Sequence, residues 1–242
     1  MLAIAFEGCA CRAAFHVGVA EGLAAGGMTF PLAAGSSSGS LVAAGVAADL
    51  MSRLPSIWLS LAGRRIVSLR RVMWNRSLFD MSHIVRGGLR EVLGAGDLRS
   101  ARGEALVVAT RLQGLNPIVY SSREEEDFVE PLMGSCFLPP FYGRPVRVDG
   151  KLLVDGGFSD NLPIEALVRR GASEVVAVVT SPSGRALKSP RRRNWIPTAE
   201  GAIVHVIRPA QSLPIGAWDF RRDRMAAAID AGRAAAARFL AR

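Results

Sequence analysis

Lysine is almost missing from this chain of 242 residues: Lys151 and Lys188 are the only two, so arginine supplies nearly all of the 30 basic residues set against 21 acidic ones, a net charge of +9. Histidine and cysteine (three each) and tyrosine (two) are also scarce. Two tyrosines and no aromatic–basic run leave no stacking platform for RNA or DNA, so nucleic acid is not expected as a partner despite the charge. A basic surface then favours the phosphates of a lipid membrane. Cys9, Cys11 and Cys136 are odd in number and follow no secretory leader, which predicts reduced thiols in a cytoplasmic chain. Cys9-x-Cys11 lacks a second cysteine or histidine pair at ligand spacing, so no metal site is expected. No uninterrupted apolar run reaches about 18 residues, so no segment is expected to span a bilayer.

What is present is apolar. Half of the residues are hydrophobic and 21% are charged, which excludes disorder; the length predicts one domain over 1–242 with a sizeable core. Residues 2–6 read as a buried strand and 13–25 as a helix, with strand 29–34 and a helix from Ser37 to about Leu50 after them. Val- and Ile-rich runs at 105–110, 117–121, 175–180 and 203–207 read as central strands, and 218–241 as a helix. Strand, turn and helix in alternation predict an α/β fold: three layers, α/β/α, around a mostly parallel sheet. Residues 52–100 read as a helical, cap-like insertion within the domain. Between Ser56 and Trp74, helical spacing gathers Trp58, Leu59, Ala62, Ile66, Leu69 and Met73 on one face and arginines opposite or at its flanks. That face suits either packing on the protein itself, the stronger reading, or a membrane interface. The stretch 184–197, with Arg191-Arg192-Arg193, reads as a mobile, solvated basic loop.

Gly35-x-Ser37-x-Gly39 lies between an apolar run and a helix-like run. That context favours a nucleophile elbow, with the serine hydroxyl exposed at a strained tip, over an ordinary small-residue loop. A serine hydroxyl needs a base. Asp155 follows a short apolar strand, Leu152-Leu153-Val154, and precedes Gly156-Gly157; it reads as that base or as a turn aspartate capping its own loop. The order Ser37, Asp155, His205 also fits a triad, but His205 sits inside a strand rather than beyond its end, and His16 and His83 read as structural. The turn Gly8-Cys9-Ala10-Cys11-Arg12-Ala13, after the first strand, is placed to offer backbone N–H donors to an oxyanion, with Arg12 adding positive charge.

Four segments together resemble the patatin-like phospholipase family: the Gly8–Arg12 turn running into Ala14–Val19; Gly35–Gly39; Gly134-Ser135-Cys136-Phe137-Leu138-Pro139-Pro140; and Asp149-Gly150, then Val154-Asp155-Gly156-Gly157 and Asn161-Leu162-Pro163. The resemblance implies a Ser–Asp dyad that hydrolyses lipid acyl esters, with Ser37 as nucleophile, Asp155 as general base, and the backbone around Gly8, Cys9, Ala10 and Arg12 as oxyanion hole. It implies no cofactor and a lipid or phospholipid substrate; peripheral membrane contact goes with the basic surface and the membrane reading of the Ser56–Trp74 face. One departure stands out. The family usually carries three glycines, then x-Arg-Gly, where this chain replaces three of the four glycines by Cys9, Ala10 and Ala13. Wherever such a position needs φ > 0, a Cβ costs about 1–2 kcal/mol. The alternative is therefore an impaired lipid- or protein-interaction module with a degraded hole.

Overall fold

The computed structural model describes residues 1–60, 62, 98–139 and 146–242. In β1 (Leu2–Phe6), Ala3 and Ala5 face one apolar cluster while Ile4 and Phe6 face another, and all four are fully buried. A strand covered on both faces belongs in the middle of a parallel sheet. β1 accordingly pairs in parallel with β2 (Leu32–Ser36) on one edge and β7 (Glu174–Val178) on the other. β2 continues to β3 (Glu104–Arg111), and β7 to β8 (Ile203–Ile207), again in parallel. β4 (Asn116–Ser121), β5 (Val146–Val148) and β6 (Lys151–Val154) join antiparallel to complete a mixed sheet of eight strands.

Helices α1 (Ala13–Ala25), α2 (Ser38–Ala47), α3 (Leu54–Ser60) and α6 (Arg222–Leu240) cover one face, where Phe15, Val42, Trp58 and Ile229 share a core. α4 (Val129–Ser135) extends that layer over β3. Leu162, α5 (Ile164–Arg169) and Ala186 cover the other face. The architecture is α/β in three layers.

One detail of register brings two strand ends together. β2 and β4 overlap along β3 and so lie on opposite edges of it; β6, which pairs with Thr110 and Arg111 opposite β4, must lie on the β2 edge. β2 runs along that edge to Ser36, paired with Val108. β6 runs the other way and ends at Val154, paired with Thr110. Two strand ends therefore point at each other across the width of one residue, Ala109. The next residues along the two strands are Ser37 and Asp155.

Several expectations need correction. β2 starts at Leu32, not Thr29, because Pro31 has no N–H for the ladder. β4 and β8 are not central strands: both are edges with exposed residues, and an apolar run cannot reveal whether a neighbour covers it. The last helix starts at Arg222, four residues later than expected. The stretch 184–197 is not a mobile loop but a folded-back strap, bridged at Ala186–Trp195 and Ser189–Arg192. Trp58 is buried against the core, as the packing reading of its helix expects. Ile66, Leu69, Met73, the flanking arginines and His83 lie outside the described residues.

Candidate active site

Ser37 stands between β2 and α2 with φ +52 and ψ −132. A non-glycine residue there carries about 1–3 kcal/mol of strain and persists only where its surroundings impose it. Here they do. Its N–H donates to Ser135 Oγ (2.8 Å), which in turn donates to Val108 O (2.6 Å). Its carbonyl accepts from Ser40 N–H (2.9 Å) and Ser40 Oγ (2.6 Å). Gly35 and Gly39 are needed because a Cβ would clash, not for a positive φ, which neither has. A Cβ on Gly39 would sit 2.6 Å from Phe6 O, and one on Gly35 would overlap the Gly39 carbonyl. The glycines let the helix press onto the strand, and the serine takes the strained turn.

Ser37 Oγ donates to Asp155 Oδ2 at 2.7 Å. The other carboxylate oxygen accepts Gly157 N–H (2.8 Å), and the Asp155 backbone is pinned on both sides, donating to Phe137 O (2.7 Å) and accepting from Thr110 Oγ1 (2.8 Å). Burial raises the Asp155 pKa to about 6, against the opposing pull of its bonds from Ser37 and Gly157. Gly156 must be glycine because a Cβ would overlap Val108 O, the carbonyl that anchors Ser135.

The turn after β1 lies beside this pair. Gly8 N–H donates to Asn161 O (3.0 Å), and Asn161 Nδ2 returns a bond to Gly8 O (2.9 Å). Cys9 N–H donates to Ser38 Oγ (3.2 Å), Cys11 N–H to Ala217 O (3.2 Å) and Arg12 N–H to Cys9 O (3.3 Å). Of the three residues that stand in place of glycines, only Ala10 has positive φ (+54); Cys9 has φ −154 and Ala13 is helical at −61. The Cβ penalty therefore falls on one position, not three. Just before the turn, buried Glu7 accepts from Thr180 N–H and Oγ1 (3.0 Å each) and from Leu187 N–H (3.1 Å), and burial raises its pKa. Lys188, also buried, pairs with Asp160 (2.8 Å) and Glu165. Carboxylate and lysine together tie the 184–197 strap against the site.

Ser37, Asp155 and the turn open on one cavity of about 340 Å³, walled by Leu41, Trp58, Leu138, Trp218, Phe220 and Met225 among others. All three cysteines line it, and burial pushes the Cys9 and Cys136 thiols up, away from the reactive thiolate. The structure brings together Gly8, Cys9, Ala10, Arg12, Ser37, Asp155 and Gly157, with Gly35, Gly39 and Gly156 shaping the backbone behind them. It does not bring His16 or His205 there. His16 is buried between Phe6 and Phe15 with its pKa lowered by burial to about 3, and His205 bonds Glu174 (2.8 Å) on the far edge of the sheet. Among the described residues no group of three or more His, Cys, Asp or Glu could hold a metal ion. Sequence reasoning gave no role to Ser38, Ser135, Asn161 or Glu7; Ser135 and Asn161 stood in the quoted segments, but their spacing carries no sign of what they bond.

The profile described as patatin-like phospholipase matches residues 4–168. The chain belongs to the patatin-like phospholipase family. It is 30% identical over 176 residues to patatin-like phospholipase domain-containing protein 2 of Bos taurus, covering 68% of this chain and 35% of that one. It is 30% identical over 171 residues to 1-acylglycerol-3-phosphate O-acyltransferase Pnpla3 of Mus musculus (66% and 40%), and 27% over 178 residues to lysophospholipase NTE1 of Scheffersomyces stipitis (69% and 11%). This patatin-like chain thus spans between about a tenth and two fifths of the length of these relatives. Among solved structures, VipD from Legionella pneumophila shares the fold, with a TM-score of 0.53 at 13% identity over 99% of this chain and 66% of that one. Among the described residues no helix is long and apolar enough to cross a membrane.

Proposed function

We propose that this protein is a serine acyl hydrolase that cleaves carboxylic esters of lipids through Ser37 and Asp155. The observation that carries the reading is the 2.7 Å bond from Ser37 Oγ to a buried carboxylate, at the floor of an apolar cavity large enough for an acyl chain. Asp155 Oδ2 takes the Ser37 proton as Oγ attacks the acyl carbonyl, and the turn after β1, where among the described residues Ala10 N–H is left open, faces the oxygen as it gains charge. Asp155 returns the proton to the leaving alkoxide. Water, deprotonated by the same carboxylate, then releases the fatty acid from the acyl-serine. No step calls for a cofactor.

Two features support contact with a lipid surface. Trp218 and Phe158, which line the cavity, are 46% and 37% exposed, and the strap that lends Leu187 and Pro190 to its wall continues into the exposed Arg191, Arg192 and Arg193. The impaired-module alternative rests on Ala10, the one replaced glycine with positive φ.

The test is hydrolysis of phospholipid, lysophospholipid and a neutral acylglycerol by the wild type and by the Ser37→Ala and Asp155→Asn variants, with products separated. Fatty acid release that falls by about 1,000-fold or more in both variants is the expected result. Transfer of the acyl group to an added lysophosphatidate in place of water would assign the acyl-serine to an acyltransferase, the activity in the name of the mouse relative. A wild type inactive on all three lipids, or Ser37→Ala at the wild-type rate, overturns the hydrolase reading.

A further inference from the structure

The turn after β1 has fewer open donors than its position suggests. Three of its N–H groups, on Gly8, Cys11 and Arg12, are taken by backbone carbonyls, and among the described residues Ala10 N–H makes no such bond. Cys9 N–H bonds to the side chain of Ser38, the residue after the nucleophile. The direction of that bond is set from behind. In a trans peptide the C=O and N–H point opposite ways. The Gly8 carbonyl is held by Asn161 Nδ2 at 2.9 Å, so the Cys9 N–H of the same peptide is turned onto Ser38 Oγ. A hydroxyl can accept twice and donate once. Ser38 Oγ accepts from Cys9 and keeps its own proton; the further contact it makes is Cys9 Sγ at 3.9 Å, a weak acceptor. Ser38 and Ser37 line the same cavity.

We infer that Ser38 is a further catalytic residue: its hydroxyl, polarised by Cys9 N–H, donates a hydrogen bond to the acyl oxygen as Ser37 attacks. The inference rests on the reading of Ser37 given above. As the Ser37 Oγ–carbon bond forms, the carbonyl π pair moves onto oxygen and the Ser37 proton goes to Asp155. Ser38 keeps its proton throughout. Asn161 is a positioning residue that acts through the Gly8–Cys9 peptide. A side-chain donor also suits a turn in which Cβ atoms stand where glycines are usual, because the hydroxyl extends beyond the backbone. The opposite role, a hydroxyl that blocks the Cys9 N–H, predicts an effect of opposite sign.

The experiment compares the rate at which a fluorophosphonate labels Ser37 in the wild type, Ser38→Ala, Ser38→Thr and Asn161→Ala. Labelling forms an Oγ–P bond, expels fluoride and loads charge on the phosphoryl oxygen, so it tests the donor without lipid. Ser38→Ala is expected to be about 100-fold slower, with an unchanged melting temperature, an unchanged pH midpoint and KM for a soluble ester within about twofold. Ser38→Thr recovers most of the rate, and adding Asn161→Ala to Ser38→Ala costs less than Asn161→Ala does alone. Ser38→Ala as fast as wild type or faster overturns the inference, as does a well-folded Ser38→Thr as slow as Ser38→Ala. A wild type that is not labelled at all overturns the Ser37 reading itself and this inference with it.

Discussion

Asp155 is buried and, in the proposed mechanism, acts as the base, and both are measurable through pH. With its pKa raised to about 6 it accepts a proton only when ionised, so kcat/KM is expected to rise through about pH 6 and level off above it. A flat profile from about pH 5 to 8 would contradict the assignment. Stability moves the other way. A carboxyl that binds its proton more tightly folded than unfolded stabilises the fold at low pH, and that contribution is lost as pH rises from 3.8 through about 6, a span worth about 3 kcal/mol. Asp155→Asn should therefore match wild type in urea melts near pH 4 and exceed it by up to about 3 kcal/mol near pH 8, while activity is lost. An advantage that shrinks with rising pH would rule this out. At Ala10, whose φ is +54, Ala10→Gly should stabilise by about 1 kcal/mol and speed turnover; Ala13→Gly, in the first turn of α1, should destabilise by a similar amount. Equal effects at the two sites would show that the turn does not discriminate between them. Ser37 and Asp155 were legible in the sequence because each sits in a short pattern of glycines. Ser38, Ser135 and Asn161 were not, because their partners at Cys9, Ser37 and Gly8 are 29, 98 and 153 residues away.

At the level of elements, the site is a consequence of two strands meeting end to end along β3. β2 enters from one side and β6 from the other, and Gly156 lets the chain turn away over Val108 O. Gly156→Ala has no space for its methyl against that backbone carbonyl. It should lower the melting temperature and reduce turnover by about 100-fold or more, since Asp155 would move off Ser37. A variant with wild-type turnover would show that the abutment does not set the dyad. β1 and α1 were read from the sequence to the residue, because a short buried run bounded by a turn, and a long apolar helix after it, leave little freedom. The roles of β4 and β8 were not. Their apolar composition resembles that of a central strand, and only the missing neighbour makes them edges. The abutment was equally hidden, since nothing in Leu152-Leu153-Val154 names the strand edge it will share.

For the whole molecule, part of the positive charge lies on the strap, where the exposed Arg191, Arg192 and Arg193 follow Pro190 of the cavity wall, and Trp218 and Phe158 of the same wall are exposed too. Changing the three arginines to glutamine should reduce sedimentation with anionic vesicles by about 100-fold, at about 1 kcal/mol per arginine, and leave hydrolysis of a short soluble ester unchanged. Equal binding to anionic and zwitterionic vesicles in wild type and variant would remove the strap from the account. The three-layer class was legible from the alternation of strands and helices, whereas the tethering of the strap by Glu7 and Lys188 was not, because a buried hydrogen bond or ion pair has no sequence period. The most direct measurement is to quench turnover of a lipid ester with acid, digest the protein and locate the acyl group by mass spectrometry. The dyad predicts the acyl mass on the peptide that contains Ser37, and none when Asp155 is asparagine. An acyl group on another residue, or steady hydrolysis with no acylated protein at any time, would contradict it.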